Sequence, residues 1–144
     1  MNVLESVAKL RLLPHERRWL EQIFAAMLPG ETVGLPSFDS GDHAEFFRII
    51  EDAPGASFLP GLRVMLHALH ALPLGYAHYR RPFFALPLEA RRAFLAELAH
   101  ENGYLSRQLV AALKILAGFA YFENPRVREC FDLRALTRAP MVQP

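Results

Sequence analysis

Apolar and polar residues along this chain recur with the period of a helix. Leu20, Ile23, Phe24 and Met27 fall three or four residues apart, with Trp19 beside them. That spacing puts them on one face of an amphipathic helix. Pro14 suits its first turn, Glu16 adds negative charge near its start, and Pro29 and Gly30 stop it. The stretch "PGETVGLPSFDSGD" is turn-rich, and Asp39, Ser40 or Asp42 is placed to cap a second helix. Its apolar residues are Phe46, Phe47, Ile49 and Ile50, and "DAPGAS" ends it.

A third helix is expected from near Ser57 to Leu72, with Phe58, Leu62, Met65, Leu66 and Leu69 as its apolar face and Pro60 in its first turn. Pro73 and Gly75 break the chain before a connector, Tyr76 to Phe84. A fourth helix begins at Pro87, carries Phe94, Leu95 and Leu98, and fades near Glu101–Gly103. The fifth and longest runs from Tyr104 to Phe122 and is apolar on much of its circumference, the pattern of a central, buried helix. Gly118 lies inside it, where glycine costs ~1 kcal/mol relative to alanine. That predicts a close helix crossing or a neighbouring backbone. Tyr121 and Phe122 close the helix as aromatic anchors, and Asn124–Pro125 reads as the N-cap and first position of a last short helix to about Cys130.

The tail from Asp132 to Pro144 has no clear period, and short runs of period two are absent. The expectation is an all-α fold: a compact single-domain bundle of five to six helices over 1–131, with an irregular C-terminal tail over 132–144. The tail is expected to contact a partner.

Composition narrows the function classes. With 144 residues, 52% hydrophobic and 22% charged, the chain can bury one core and is not disordered by composition. Eleven Phe are a rich supply for a small domain, so part of the apolar surface is expected to serve a partner. The net charge of +1 gives no electrostatic footprint for nucleic acid. The basic residues are nearly all Arg, with Lys only at Lys9 and Lys114. Arg suits interfaces, although a GC-rich genome produces the same bias. Cys130 is the single cysteine, which excludes an intrachain disulfide and a cysteine-based zinc site; a buried filler role is expected for it.

The stretch "ERRWLEQIFAAMLPG" sets Arg17 and Arg18 ahead of an apolar run, as a twin-arginine export signal does. Glu21 and Gln22 interrupt the run, and only Ile23 to Leu28 are continuously apolar, short of the ~7–15 residues such a signal needs. No segment reads as the ~20 apolar residues of a membrane span. A cytoplasmic protein is expected.

Candidate chemistry concentrates in "HALHALPLGYAHYRRPFF", His67 to Phe84. His67 and His70 are three apart on one helix and His78 lies beyond, but no matching ligand set or carboxylate cluster flanks them, so no metal is expected. Tyr76, His78, Tyr79, Arg80 and Arg81 could do acid–base work, yet the chain lacks a nucleophile elbow, a Gly-rich phosphate loop and a dinucleotide fingerprint. No catalytic or cofactor-binding residue is expected. Tyr, His and Arg in an exposed connector suit a protein contact better, with Phe84 as the tether to the core. One of Arg91 and Arg92 is expected to face water and one to pair with an acid. Trp19, Tyr76, His78, Tyr79, Arg80, Arg81, Asp132, Leu133 and Arg134 are the expected partner-binding residues.

Over roughly residues 10 to 130, "LPHERRWLEQIFAAMLPG", "FFALPLEARRAFLAEL" and "LKILAGFAYFENPRVREC" together resemble the gluconate 2-dehydrogenase subunit 3 family. These are the small gamma, or hitch-hiker, subunits of bacterial flavin-dependent dehydrogenases. A similar helical segment precedes the flavoprotein region of some alcohol and cholesterol oxidases. The matching positions are Leu28, Pro29, Phe84, Leu86, Arg91, Tyr121, Pro125 and Val127.

The resemblance implies a non-catalytic small subunit that binds and stabilises a large FAD-dependent oxidoreductase of the glucose–methanol–choline type, or aids its maturation. FAD is then on the partner, this chain carries no cofactor, and the assembly is a hetero-oligomer. Many relatives begin with a twin-arginine signal, which is not expected here, and relatives often end on a Leu-Gly-Tyr-like sequence where this one reads "ECFDLRAL". Two alternatives stay open from the residues: a free-standing helical interaction module with an unrelated partner, and a small metal-dependent enzyme using His67, His70 and His78.

Overall fold

The computed structural model describes residues 11–28, 36–38, 43–52, 55 and 57–130. Within them the chain forms six helices and no strand: α1 Pro14–Met27, α2 Ala44–Glu51, α3 Phe58–Ala71, α4 Leu88–His100, α5 Tyr104–Phe122 and α6 Pro125–Cys130. Two 3-10 turns, Leu72–Gly75 and Phe83–Ala85, bracket the connector between α3 and α4. The fold is compact and all-α, as the helical periodicity predicts. Pro29, Gly30, the capping candidates Asp39, Ser40 and Asp42, and the tail residues Asp132, Leu133 and Arg134 lie outside the described residues.

α1 is the common neighbour: it packs on α3, α4 and α5, while α4 and α5 pack on each other. Its first turn is organised by Glu16, whose Oε2 accepts the N–H of Leu13 at 2.8 Å. That satisfies one of the donors left free where α1 begins. Leu20, Ile23 and Phe24 then point into the core. They meet Leu66 and Leu69 of α3, Phe94 and Leu98 of α4, and Val110, Leu113, Ala117 and Ala120 of α5. Each large apolar side chain removed from water here contributes about 1.5–3 kcal/mol before chain entropy is counted.

Local pieces are tied down by polar links. Arg17 of α1 donates to Glu51 of α2 at 2.5 Å and lies over the Phe47 ring. The Tyr121 hydroxyl donates to the carbonyl of Pro36 at 2.8 Å, fixing residues 36–38 against the end of α5. Asn124 caps α6 by accepting the Arg126 N–H at 3.0 Å.

Several sequence expectations are corrected by packing. α5 is not buried all round: Val110, Leu113, Ala117, Ala120 and Tyr121 face the core, while Leu105, Ile115, Phe119 and Phe122 are exposed. Among the described residues Gly118 is at no close crossing, because a Cβ built there meets nothing within 4 Å. Ile49 faces outward, since α2 presents only Phe46, Phe47 and Ile50 to the core. Phe58 is exposed at the start of α3. Cys130 is no buried filler; it is an exposed free thiol at the last position of α6. The tether of the connector is Phe83, which is fully buried, whereas the 3-10 turn sets Phe84 half-buried beside it.

α5 also has the length and composition of a membrane-spanning helix, with 28% of the relevant window buried in the fold. Arg107 and Lys114 interrupt its apolar run in sequence.

Candidate functional site

The connector is built on α4. Tyr76 and Tyr79 each pack a ring edge-on against Phe94, with centroids 5.2 Å away in both cases. Their hydroxyls then reach two carboxylates four residues apart, Glu97 in the last turn of α4 and Glu101 at its C-cap. Tyr76 donates to Glu101, and Tyr79 donates to Glu97 at 2.7 Å. Those bonds favour the protonated phenols. The bond to Glu101, then burial, pushes Tyr76 up to about 12. Burial, then the bond to Glu97, pushes Tyr79 up to about 12. In turn the Tyr79 hydroxyl, assisted by His78, holds the Glu97 carboxyl below its ordinary range.

The outward side of the connector is therefore cationic and imidazole-bearing. His78 is exposed, with Nε2 3.1 Å from Glu97 Oε1. Arg80 and Arg81 are exposed. Arg80 sits at φ 55, the one non-glycine residue with a positive φ among the described residues. Its Nε donates to the Ala77 carbonyl at 2.9 Å, which closes the turn around that backbone.

Trp19 belongs to a different cluster. Its indole stacks on Phe84 at 4.5 Å and on His70 at 4.7 Å, and the edges of His15 and His67 approach it at 5.1 Å. The Phe84 N–H donates to His70 Nδ1 at 3.4 Å, so His70 is committed to the start of the next element. Burial, then the neighbouring His67, lowers the His70 pKa. His67 and His70 both flank Trp19, while His78 is engaged by Glu97 beside Tyr79. Among the described residues, three potential metal ligands converge only at His15, Glu16 and His67. His67 thus pairs with α1 and not with His78.

Of the two expectations for Arg91 and Arg92, the acid pairing is met and the water-facing one is not, because neither residue is fully exposed. Arg92 pairs with Glu89 at 3.3 Å. Arg91 is half-buried, donates to the Leu86 carbonyl at 2.9 Å, and has its pKa lowered by desolvation.

Sequence reasoning did not locate an uncovered apolar surface on α5. Ile115 is 61% exposed, Phe119 64% and Leu105 81%, all on the outer side of α5. Ile115, Phe119 and Phe122 follow the four- and three-residue spacing of one helical stripe. Beside them α3 and α5 form a groove of about 440 Å³ lined by Phe58, Gly61, Leu62, Met65, Ala112, Ile115 and Leu116, with Ser57 at its edge. The signal was present as a helix apolar around much of its circumference, but periodicity alone does not say which side is covered.

Chemically, the described surface offers apolar area on α5 and the α3 groove, with Arg and His near the connector. The chain matches no protein-family model, no curated protein and no solved structure.

Proposed function

We propose that this chain is a non-catalytic small subunit that docks on a large FAD-dependent oxidoreductase of the glucose–methanol–choline type and stabilises it or aids its maturation. The observation that carries the docking part is the uncovered apolar stripe of α5 beside the α3 groove. Apolar surface of this kind marks a place where another molecule removes water. Its burial contributes about 25 cal/mol per Å² before association costs. The class of partner rests on the resemblance of residues 10–130 to the hitch-hiker subunits.

In this reading FAD and the oxidation chemistry belong to the partner, and the complex is a cytoplasmic hetero-oligomer. Ile115, Phe119 and Phe122 supply the apolar centre of the contact. His78, Arg80 and Arg81 supply polar contacts, with Trp19, Tyr76, Tyr79 and the tail from Asp132 completing the set. The open space at Gly118, next to Phe119, lets a partner approach the α5 backbone closely.

Co-expression tests it. A flavoprotein of this type is expected to be poorly soluble or flavin-poor alone, and soluble and flavin-loaded with this chain, the two co-eluting in size exclusion. A flavoprotein equally soluble, loaded and active without it rejects the proposal.

A further inference from the structure

His15 and Glu16 open α1, and His67 lies on the facing side of α3. One ligand atom from each, two imidazole nitrogens and a carboxylate oxygen, lies within 4.8 Å of the other two. Zinc-class ions take nitrogen and oxygen ligands at ~2.0–2.1 Å, which at tetrahedral angles sets ligand atoms ~3.3 Å apart. Closure therefore needs shifts of about 1.5 Å or less, within reach of ring rotation at an exposed His67 and a half-buried His15.

The carboxylate is already oriented. Glu16 is fully buried, its Oε2 accepts from Leu13 N and Arg63 Nη2, and its Oε1 accepts from Arg63 Nε. A carboxylate oxygen has two lone pairs, so Oε1 retains one. Arg63 acts from the other side as the outer partner that fixes a ligating carboxylate, although its charge weakens the site for a cation. Trp19 holds both imidazoles edge-on at 5.1 Å. Two histidines and one carboxylate suit zinc, copper or nickel and not magnesium or calcium.

We propose that His15, His67 and Glu16 bind a divalent transition-metal ion of the zinc class, with water completing the coordination, and that the ion clips the first turn of α1 to α3. The site goes beyond the partner reading and does not depend on it.

The test uses untagged, metal-stripped full chain titrated with Zn²⁺ by calorimetry and thermal melting, and with Cu²⁺ by tryptophan emission. Trp19 is the single tryptophan and touches both imidazoles, so its emission reports the site directly. One Zn²⁺ per chain, a melting-temperature rise of about 5 °C at saturation and quenching by Cu²⁺ are expected. Mg²⁺ is expected to do none of this. His67→Ala, at an exposed position that tolerates truncation, is expected to weaken Zn²⁺ binding by at least about tenfold. His15→Ala should do the same, and His100→Ala should leave binding unchanged. Absence of Zn²⁺ binding, or unchanged affinity in His15→Ala and His67→Ala, overturns the proposal.

Discussion

Arg63 of α3 donates from Nε to Oε1 of Glu16 at 2.5 Å, and the Glu16 side chain that receives it has no exposed surface. Burial alone raises the Glu16 pKa, but the Arg63 hydrogen bond, the Leu13 N–H and the Arg63 charge outweigh it and hold the group below its ordinary value. The carboxylate therefore stays charged inside the fold because Arg63 is there. Arg63→Ala leaves that charge unpaired and is expected to lower unfolding stability by about 3 kcal/mol. The double variant Glu16→Leu, Arg63→Met removes both charges and should recover most of the loss. Urea unfolding of the single and double variants measures both values. A single variant as stable as the parent would show that the pair is dispensable.

The two phenylalanines after the connector differ in what they hold. Phe83 is fully buried against Phe94 and the core, and Phe84 stacks at 9° on the Trp19 indole. Phe83→Ala opens a cavity and is expected to cost about 3–5 kcal/mol. Phe84→Ala loses a half-buried ring and one stack and is expected to cost about 2 kcal/mol. Only the Phe84 change should move Trp19 emission strongly to the red, since it exposes the indole face. Equal losses for the two would contradict the assignment of Phe83 as the tether.

These cases mark where sequence stops being informative. The bounds of α5, Tyr104 to Phe122, were readable because Gly103 precedes it and Asn124–Pro125 follows. Its covered side was not readable, because a helix apolar on much of its circumference offers no polar face to assign to water. The choice between Phe83 and Phe84 depends on how a three-residue 3-10 turn rotates them, which no periodicity encodes. The inward turn of Tyr76 and Tyr79 depends on Glu97 in the last turn of α4 and Glu101 at its C-cap lying beneath them. The meeting of His15 with His67 depends on how α1 packs against α3, so the sequence offers only the neighbouring pair His67 and His70.

Tyr76 and Tyr79 give the fold an alkaline signature. An ordinary phenol titrates near 10, and both of these are pushed up to about 12 by burial and by bonds to Glu101 and Glu97. Unfolded chains therefore lose these protons at lower pH than folded ones do. The stabilisation is complete below pH 10 and is lost as pH rises through about 12. Tyrosinate absorbance of the folded chain is expected to show late-titrating phenols, including Tyr121, which burial also raises. Tyr76→Phe and Tyr79→Phe should each remove one late step. A spectrum in which all four tyrosines ionise together near pH 10 would refute the two bonds.

Gly118 lies inside α5 with open space where a Cβ would go. Nothing among the described residues needs the glycine, so Gly118→Ala is expected to stabilise the isolated protein by up to about 1 kcal/mol. Thermal or urea unfolding reads that gain directly. A loss of stability would mean that a neighbouring segment occupies the space. If the proposed partner approaches the α5 backbone at this point, the same variant should bind it more weakly while being the more stable chain.

The outer stripe of α5 makes the converse prediction. Ile115 and Phe119 are largely exposed, so Ile115→Ser and Phe119→Ser remove little buried surface. Stability of the isolated chain is expected to change by no more than about 0.5 kcal/mol. Co-purification with the flavoprotein should fall by at least about tenfold, since apolar anchors at the centre of a contact typically carry 2 kcal/mol or more, roughly, of its binding energy. Truncation of Leu113, on the buried side of the same helix, should do the opposite and destabilise the fold by about 2–5 kcal/mol. The separation of the two effects on one helix distinguishes a docking face from an ordinary solvent-facing surface. Retention of full partner binding in the Ile115→Ser, Phe119→Ser double variant would show that the α5 stripe is not where the partner sits.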